Sequence, residues 1–141
     1  MPQSCFNINK RGIALSVTVY YIVHIMTFGN HIKTKRLELS RGNRDFSLRK
    51  VALAINVEPS FLSKVERDLV APPSEAKIRR LAEVLGEDAD ILLAMAGKVS
   101  TDLQEIILKR PKLFADMLRH LKKEPDHAVL RIVREIKDGN W

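Results

Sequence analysis

Two short amphipathic stretches lie almost end to end between residues 47 and 67, and they constrain the fold more than any other feature of the chain. In the first stretch, apolar residues recur at helical spacing, at Leu48, Val51, Ala52 and Ile55. Ser47 is a typical N-cap for this helix. Asn56 tolerates the left-handed conformation in which a helix ends, and Pro59 suits the first turn of a new helix. The spacing therefore predicts two helices joined by a sharp turn.

The second stretch, Pro59 to Arg67, has two different faces. Its apolar residues, together with one from the turn, are expected to face inward and to fix the crossing angle: Val57, Phe61, Leu62 and Val65. Its polar residues are expected to face outward: Ser60, Ser63 and Lys64. A helix-turn-helix of this kind places the polar face of its second helix in the major groove of DNA. The pattern therefore predicts a DNA-reading helix.

From Met26 onward the rest of the chain also reads as helix. In addition to the two above, the predicted helices are 29–39, 74–85, one from Asp88 or Asp90 to residue 96, 101–110, 111–123 and 126–137. Arg41 to Asp45 is rich in turn formers and reads as a loop. Proline and glycine residues punctuate the remaining helix ends. Since no strand pattern occurs after Met26, the sequence predicts an all-α fold.

The charge distribution favours a polyanionic partner. The net charge is +7, and residues 27–68 carry nine basic and five acidic residues. Cys5 is the only cysteine, which excludes an intrachain disulfide and a cysteine-based zinc site. The histidines form two pairs seven residues apart, a spacing too long for a shared metal ion. No nucleophile paired with a base and no glycine-rich phosphate loop is present, so we expect no enzyme, no cofactor and no metal.

The first 25 residues do not fit the helical pattern. Lys10 and Arg11 precede an apolar run that superficially resembles a signal peptide, but no convincing small-residue cleavage site follows it. The run is also shorter than the ~20 apolar residues that span a bilayer. We expect Met26 to be the true start and residues 1–25 to lie outside the folded protein. An extra strand or a membrane-tethering segment are the alternatives.

The stretch SLRKVALAINVEPSFLSKVERD, residues 47–68, resembles the XRE family of regulators, which includes the lambdoid phage repressors and Cro proteins. The resemblance extends from Gly29 to about Leu93. It implies a lambda-repressor-like bundle of five helices over residues 26–97. A helical C-terminal region, residues 98–141, would follow this DNA-binding domain.

The resemblance also implies roles for individual residues. Contacts with the DNA backbone are expected from residues near the start of the first helix of the motif, after Ser47, and base or groove contacts from its second helix, Pro59 to Arg67. The predicted DNA-binding set is Arg44, Ser47, Arg49, Lys50, Glu58, Pro59, Ser60, Ser63 and Lys64. Arg36 and Glu66 match a pair that forms an internal ion pair in such repressors, and they are expected to be structural.

Three departures from the family pattern affect the expected contacts. Leu48 stands where a DNA-contacting glutamine is common, and Asp68 stands where glycine is usual. The loop at residues 69–72 lacks the basic residues that many relatives use on phosphates. In compensation, the loop after the first helix carries Arg41 and Arg44, and we predict that it supplies backbone contacts. The alternative is a solvated loop with no specific contact.

These features together predict a cytoplasmic, sequence-specific transcriptional regulator, a repressor, that binds double-stranded DNA as a homodimer. The C-terminal region is the expected dimerisation surface, and the alternative is that its helices extend one monomeric core. The alternative hypothesis is that the protein is an antitoxin, whose C-terminal helices bind a toxin partner while the N-terminal domain represses the operon. Trp141 is expected to pack locally over a hydrophobic edge.

Overall fold

The computed structural model describes residues 26–139, and the chain divides into two units between Val99 and Ser100. The first unit contains five α-helices: α1 (Phe28–Ser40), α2 (Leu48–Ala54), α3 (Pro59–Glu66), α4 (Glu75–Leu85) and α5 (Ala89–Met95). A 3-10 turn, Arg44–Phe46, lies between α1 and α2. The second unit contains α6 (Thr101–Lys109), α7 (Pro111–Leu121) and α8 (Asp126–Asp138).

All regular structure within residues 26–139 is helical, and no strand occurs there. The predicted all-α class and the five-helix bundle are therefore confirmed, with helix ends within a few residues of the expected positions. The loop after α1 is more ordered than predicted, because the Asn43 side chain accepts a hydrogen bond from the Asp45 amide at 2.8 Å and starts the 3-10 turn. The predictions for residues 1–25 and for Trp141 concern residues outside the described range.

The turn between α2 and α3 follows from local conformational preferences. Asn56 adopts a φ of +56°, as its position after α2 predicts. The Val57 amide then donates to the Ala52 carbonyl at 2.9 Å, which closes the end of α2. Pro59 occupies the first turn of α3, where its missing N–H leaves no helical hydrogen bond unmade. The two helices of the motif are thus joined by only a few residues.

A closed apolar core holds the first unit together. All five helices contribute to it, and each core side chain is at most 5% exposed: Phe28, Ile32, Val51, Ala52, Ile55, Leu62, Val65, Ile78, Leu81, Ala82, Leu85, Leu92 and Leu93. Leu62 and Val65 bury the inner face of α3, as the sequence pattern predicts. Because α3 has its apolar side in this core, its opposite side is left for solvent or a ligand.

The start of α1 packs directly against the end of α3. A Cβ on Gly29 would lie 2.1 Å from the Val65 carbonyl oxygen, so no other residue fits there without movement. Asp68, at a φ of +55°, reaches back to this junction. Its carboxylate accepts hydrogen bonds from the Gly29 amide, at 3.0 Å, and from the Thr27 hydroxyl. The aspartate in place of the usual glycine therefore caps the first turn of α1.

The helices of the second unit are amphipathic but bury little. None of α6, α7 and α8 contains a buried residue. Ten of their large apolar side chains are 37–73% exposed: Leu103, Ile106, Leu108, Leu113, Met117, Leu118, Leu130, Ile132, Val133 and Ile136. Among the helices of residues 26–139, none is long and apolar enough to cross a membrane.

We predict that Gly29→Ala destabilises the protein by about 3 kcal/mol, at the upper end of the range for overpacking. The clash with a backbone oxygen outweighs the about 1 kcal/mol that alanine gains over glycine in a helix. Urea unfolding, followed by circular dichroism, measures the change. Gly42→Ala is the matched control, because a Cβ there meets nothing within 4 Å, and it should change stability by less than about 0.5 kcal/mol. Equal effects of the two variants would contradict the close approach of α1 and α3.

Candidate nucleic-acid interface

The outer face of α3 presents the three polar residues that the sequence predicts for base contacts. Ser60 and Lys64 are exposed and Ser63 is half-buried, and their i, i+3 and i+4 spacing places them on one side of the helix. Within residues 26–139, their side chains form no hydrogen bond or ion pair. Their donors and acceptors are therefore available to a ligand.

A buried ion pair holds the last turn of α3 against α1. Arg36 of α1 donates from Nε to Glu66 Oε1 at 2.6 Å and from Nη2 to Glu66 Oε2 at 2.9 Å. Both residues are less than 9% exposed. Arg36 also donates from Nη1 to the Phe46 carbonyl oxygen at 3.4 Å, which connects the 3-10 turn to the same point. This residue pair, expected from the family resemblance, thus joins α1, α3 and the loop before α2.

The ion pair changes the pKa of Arg36. The hydrogen bonds that Arg36 donates to Glu66 raise the pKa of Arg36 above its ordinary value; burial opposes this, and the negative charge of Glu66 reinforces it. A two-point contact between a guanidinium and a carboxylate also restricts the relative orientation of the two side chains. Because a buried charge without its partner is costly, the pair fixes α3 against α1.

The first turn of α3 lines one shallow cleft together with α2. Glu58 and Pro59 lie there beside Arg49, in a cleft of about 490 Å³. Leu53, 79% exposed, also lines it. Glu58 occupies the N-cap position of α3 but makes no side-chain cap hydrogen bond. The structure thus brings together three of the predicted DNA-binding residues, two from the start of α3 and one from α2.

A second cleft, of about 550 Å³, lies at the start of α2 and gathers the predicted backbone contacts. Arg44, Ser47 and Lys50 line it. Ser47 caps α2, since its hydroxyl oxygen accepts from the Lys50 amide at 3.4 Å. Arg44 is exposed and lies in the 3-10 turn, close to these residues. The cleft therefore combines hydroxyl and cationic donors, the groups that commonly contact phosphates.

Lys50 is not free in this cleft, which the sequence did not predict. Its ammonium group donates to the carboxylate of Asp45 in an exposed ion pair. The hydrogen bond and charge of Lys50 hold the pKa of Asp45 below its ordinary value. Asp45 thus brings a negative charge to a surface that is expected to meet phosphates. The only sequence signal was an acidic residue in the loop, and its pairing depends on how the 3-10 turn folds back on α2.

The comparison with protein families decides the type of domain. Residues 37–92, from the last turn of α1 into α5, match the family model described as Helix-turn-helix. Residues 37–92 form a helix-turn-helix domain of the XRE type. The match supports a DNA-binding transcriptional regulator of the XRE type, in agreement with the geometry of α2 and α3. No curated protein and no solved structure matches the chain significantly.

The individual DNA contacts of this XRE-type domain stay predictions. Among residues 26–139, no group of three histidine, cysteine, aspartate or glutamate side chains is arranged to hold a metal ion. Asp45 was not among the predicted site residues, and neither were Lys77 and Arg80 of α4, whose side chains contact the end of α2 and the turn that follows it. A basic residue on an amphipathic helix gives no indication of which distant carbonyl it contacts.

We predict that Asp45→Asn strengthens DNA binding about twofold to fivefold at low salt, as expected for loss of an exposed pair. The change frees Lys50 to contact a phosphate. The affinity should then fall more steeply with salt, by the equivalent of about one more released counterion. Fluorescence anisotropy with a DNA duplex of scrambled sequence, at several salt concentrations, measures the affinity and its salt dependence. Asp116→Asn is the control, because it removes an acid from another exposed ion pair, with Arg119. If both variants bind alike, the pairing of Lys50 does not limit binding.

Proposed function

We propose that the protein is a sequence-specific transcriptional repressor that inserts α3 into the major groove of DNA. The single observation that carries the proposal is the contrast between the two sides of α3. Its inner side is fixed by Leu62, Val65 and the buried carboxylate of Glu66, whereas its outer polar side has no partner among residues 26–139. A rigid helix with free donors and acceptors suits the direct reading of base edges.

The backbone of the DNA would be held by the second cleft. Ser47 and Arg44 supply a hydroxyl and a guanidinium at the start of α2, and Arg49 lies beside the first turn of α3. Phosphate contacts position a reading helix but carry no direct sequence information. Sequence choice would then come from Ser60, Ser63 and Lys64, of which the lysine suits guanine O6 and N7.

The repressor would act in the cytoplasm as a homodimer on a roughly palindromic site. One helix-turn-helix covers only part of an operator, and two copies would meet successive major-groove faces about 34 Å apart. The second unit supplies the surface, because its ten exposed apolar side chains are unusual for a monomer. The charges on α8 are balanced, with three acidic and three basic residues, so a second copy of that helix meets no net repulsion.

An antitoxin is the second candidate function, and the same exposed apolar side chains favour it. In this case the second unit would bind a toxin while the first unit represses the operon. The segment around α7 carries six basic residues and one acidic residue between Lys109 and Lys123, which suits an acidic partner. The two candidate functions share the DNA-binding role of α3 and differ in what covers the second unit.

We predict that Ser60→Ala/Lys64→Ala removes sequence-selective binding. The assay compares binding to the duplex that the wild-type chain selects from genomic fragments with binding to a scrambled duplex, at two salt concentrations. The affinity ratio of the two duplexes should fall at least about tenfold, since a lost base contact costs about 1–3 kcal/mol. Lys122→Ala is the control for the lost positive charge.

Two outcomes of this assay would contradict the proposal. If the wild-type chain selects no genomic duplex over a scrambled one, and its affinity for both falls with salt, DNA is a partner but α3 does not read sequence. If the wild-type chain selects a duplex and the double variant selects it equally well, the sequence-reading residues lie elsewhere.

We predict that Ile136→Glu converts a homodimer into a monomer. Ile136 is 55% exposed on α8, so a charge there is tolerated by the monomer but disfavoured in an apolar interface. Sedimentation equilibrium of the full chain measures the mass. His127→Glu is the matched control, because it adds the same charge at an exposed position of the same helix. A monomeric wild-type chain at high concentration would refute the dimer and favour a separate protein partner.

A further inference from the structure

The end of α2 leaves three backbone carbonyls, of Ala54, Ile55 and Asn56, that the helix itself cannot satisfy. The final carbonyls of any α-helix lack an intrahelical amide partner. At this end the Asn56 amide donates to Leu53 and the Val57 amide donates to Ala52, so the backbone of the turn satisfies only earlier carbonyls. Only Val57 and Glu58 separate the last of these carbonyls from Pro59, the first residue of α3.

Two cationic side chains of α4 contact all three carbonyls. Lys77 Nζ donates to the Ile55 carbonyl oxygen at 3.3 Å and to the Asn56 carbonyl oxygen. Arg80 Nε donates to the Ala54 carbonyl oxygen at 3.3 Å. Lys77 and Arg80 lie three residues apart, on one side of α4. Positive charge at a helix C-terminus is electrostatically favourable, which strengthens these contacts. The Arg80 guanidinium is oriented in turn by Glu83, at 2.6 Å.

The position of this contact gives it a consequence for α3. The ion pair between Arg36 and Glu66 fixes the last turn of α3, and Leu62 and Val65 fix its inner side, but none of these contacts involves the turn that precedes Pro59. Its first turn, with Pro59 and Ser60, follows directly from the turn that Lys77 holds. The contacts from α4 therefore act on the residues that connect α2 to the start of α3.

We infer that Lys77 and Arg80 are positioning residues that set the orientation of α3 and thereby the sequence discrimination of the protein. The inference rests on the proposed function only where it concerns DNA. The orientation of α3 itself is a property of the free protein.

The test compares four variants of the full chain with the wild type. Lys77→Ala and Lys77→Ala/Arg80→Ala remove the contacts, and Lys77→Arg retains a cation that can donate to both carbonyls. Lys98→Ala is the matched control, because Lys98 Nζ donates to a backbone carbonyl elsewhere in the same unit, that of Pro73, at 2.6 Å. Thermal unfolding of each variant sets a common temperature at which all are folded.

The first measurement needs no DNA. Residual dipolar couplings of backbone amides report the orientation of α3 relative to α2 in the free protein. We expect the double variant to change this orientation and Lys98→Ala to leave it unchanged. Lys77→Arg should keep the wild-type orientation that Lys77→Ala loses. An unchanged orientation in the double variant would overturn the inference, whether or not the protein binds DNA.

The second measurement is the ratio of affinities for the selected and scrambled duplexes. We expect the ratio to fall about tenfold in the double variant, the effect of about one mismatched base pair. Losing two positive charges weakens binding to both duplexes by the same factor, so this effect cancels in the ratio. A parallel loss of both affinities would instead make Lys77 and Arg80 simple phosphate contacts. Loss of selectivity that disappears at lower temperature would reflect unfolding alone, and either result overturns the inference.

If the wild-type chain selects no duplex, the proposed reading of sequence by α3 is wrong. The couplings in the free protein still decide whether Lys77 and Arg80 orient the helix. The two failures are thus distinguished by separate measurements on the same variants.

Discussion

The buried ion pair between Arg36 and Glu66 is the interaction on which the arrangement of the first unit depends. It joins two helices whose paired residues are 30 positions apart in the chain, and Arg36 also holds the Phe46 carbonyl of the intervening loop. Losing one partner would leave an uncompensated buried charge, which typically costs about 3–5 kcal/mol. The pair therefore strongly disfavours arrangements in which α1 and α3 pack without it, although packing of Gly29 against Val65 is also needed.

Helix α3 is fixed on its inner side and exposed on its outer side. Asp68 and Arg36 connect its C-terminal end to α1, and Lys77 connects the turn before it to α4. Such support holds side chains in one orientation before a ligand arrives, which lowers the entropic cost of binding. The second unit has the opposite character, because its amphipathic helices contain no buried residue of their own. One unit is thus suited to rigid recognition and the other to association through apolar surface.

Much of the fold could be predicted from the sequence because its signals are local. The helices follow from apolar residues at helical spacing, and their ends follow from Asn56, Gly86 and the prolines, whose backbone preferences depend little on distant contacts. The outward face of α3 could be predicted for the same reason. The pairing of Arg36 with Glu66 could not be derived from periodicity; it was expected only because the segment resembles a known family. The loop before α2 was the least predictable part, since a 3-10 turn there depends on the Asn43 cap and on Arg36.

By itself, the sequence determined the helices, the sharp turn at Asn56 and the inner and outer faces of α3, since each depends on conformational preferences and hydrophobic period within a few residues. Only the tertiary structure decided which charges meet. It placed Lys77 against the carbonyls of Ile55 and Asn56, and it brought Asp68 to the start of α1. The physical reason is that these contacts depend on how the helices cross. Side chains that are 21 to 39 residues apart meet only after the apolar core has fixed those crossings.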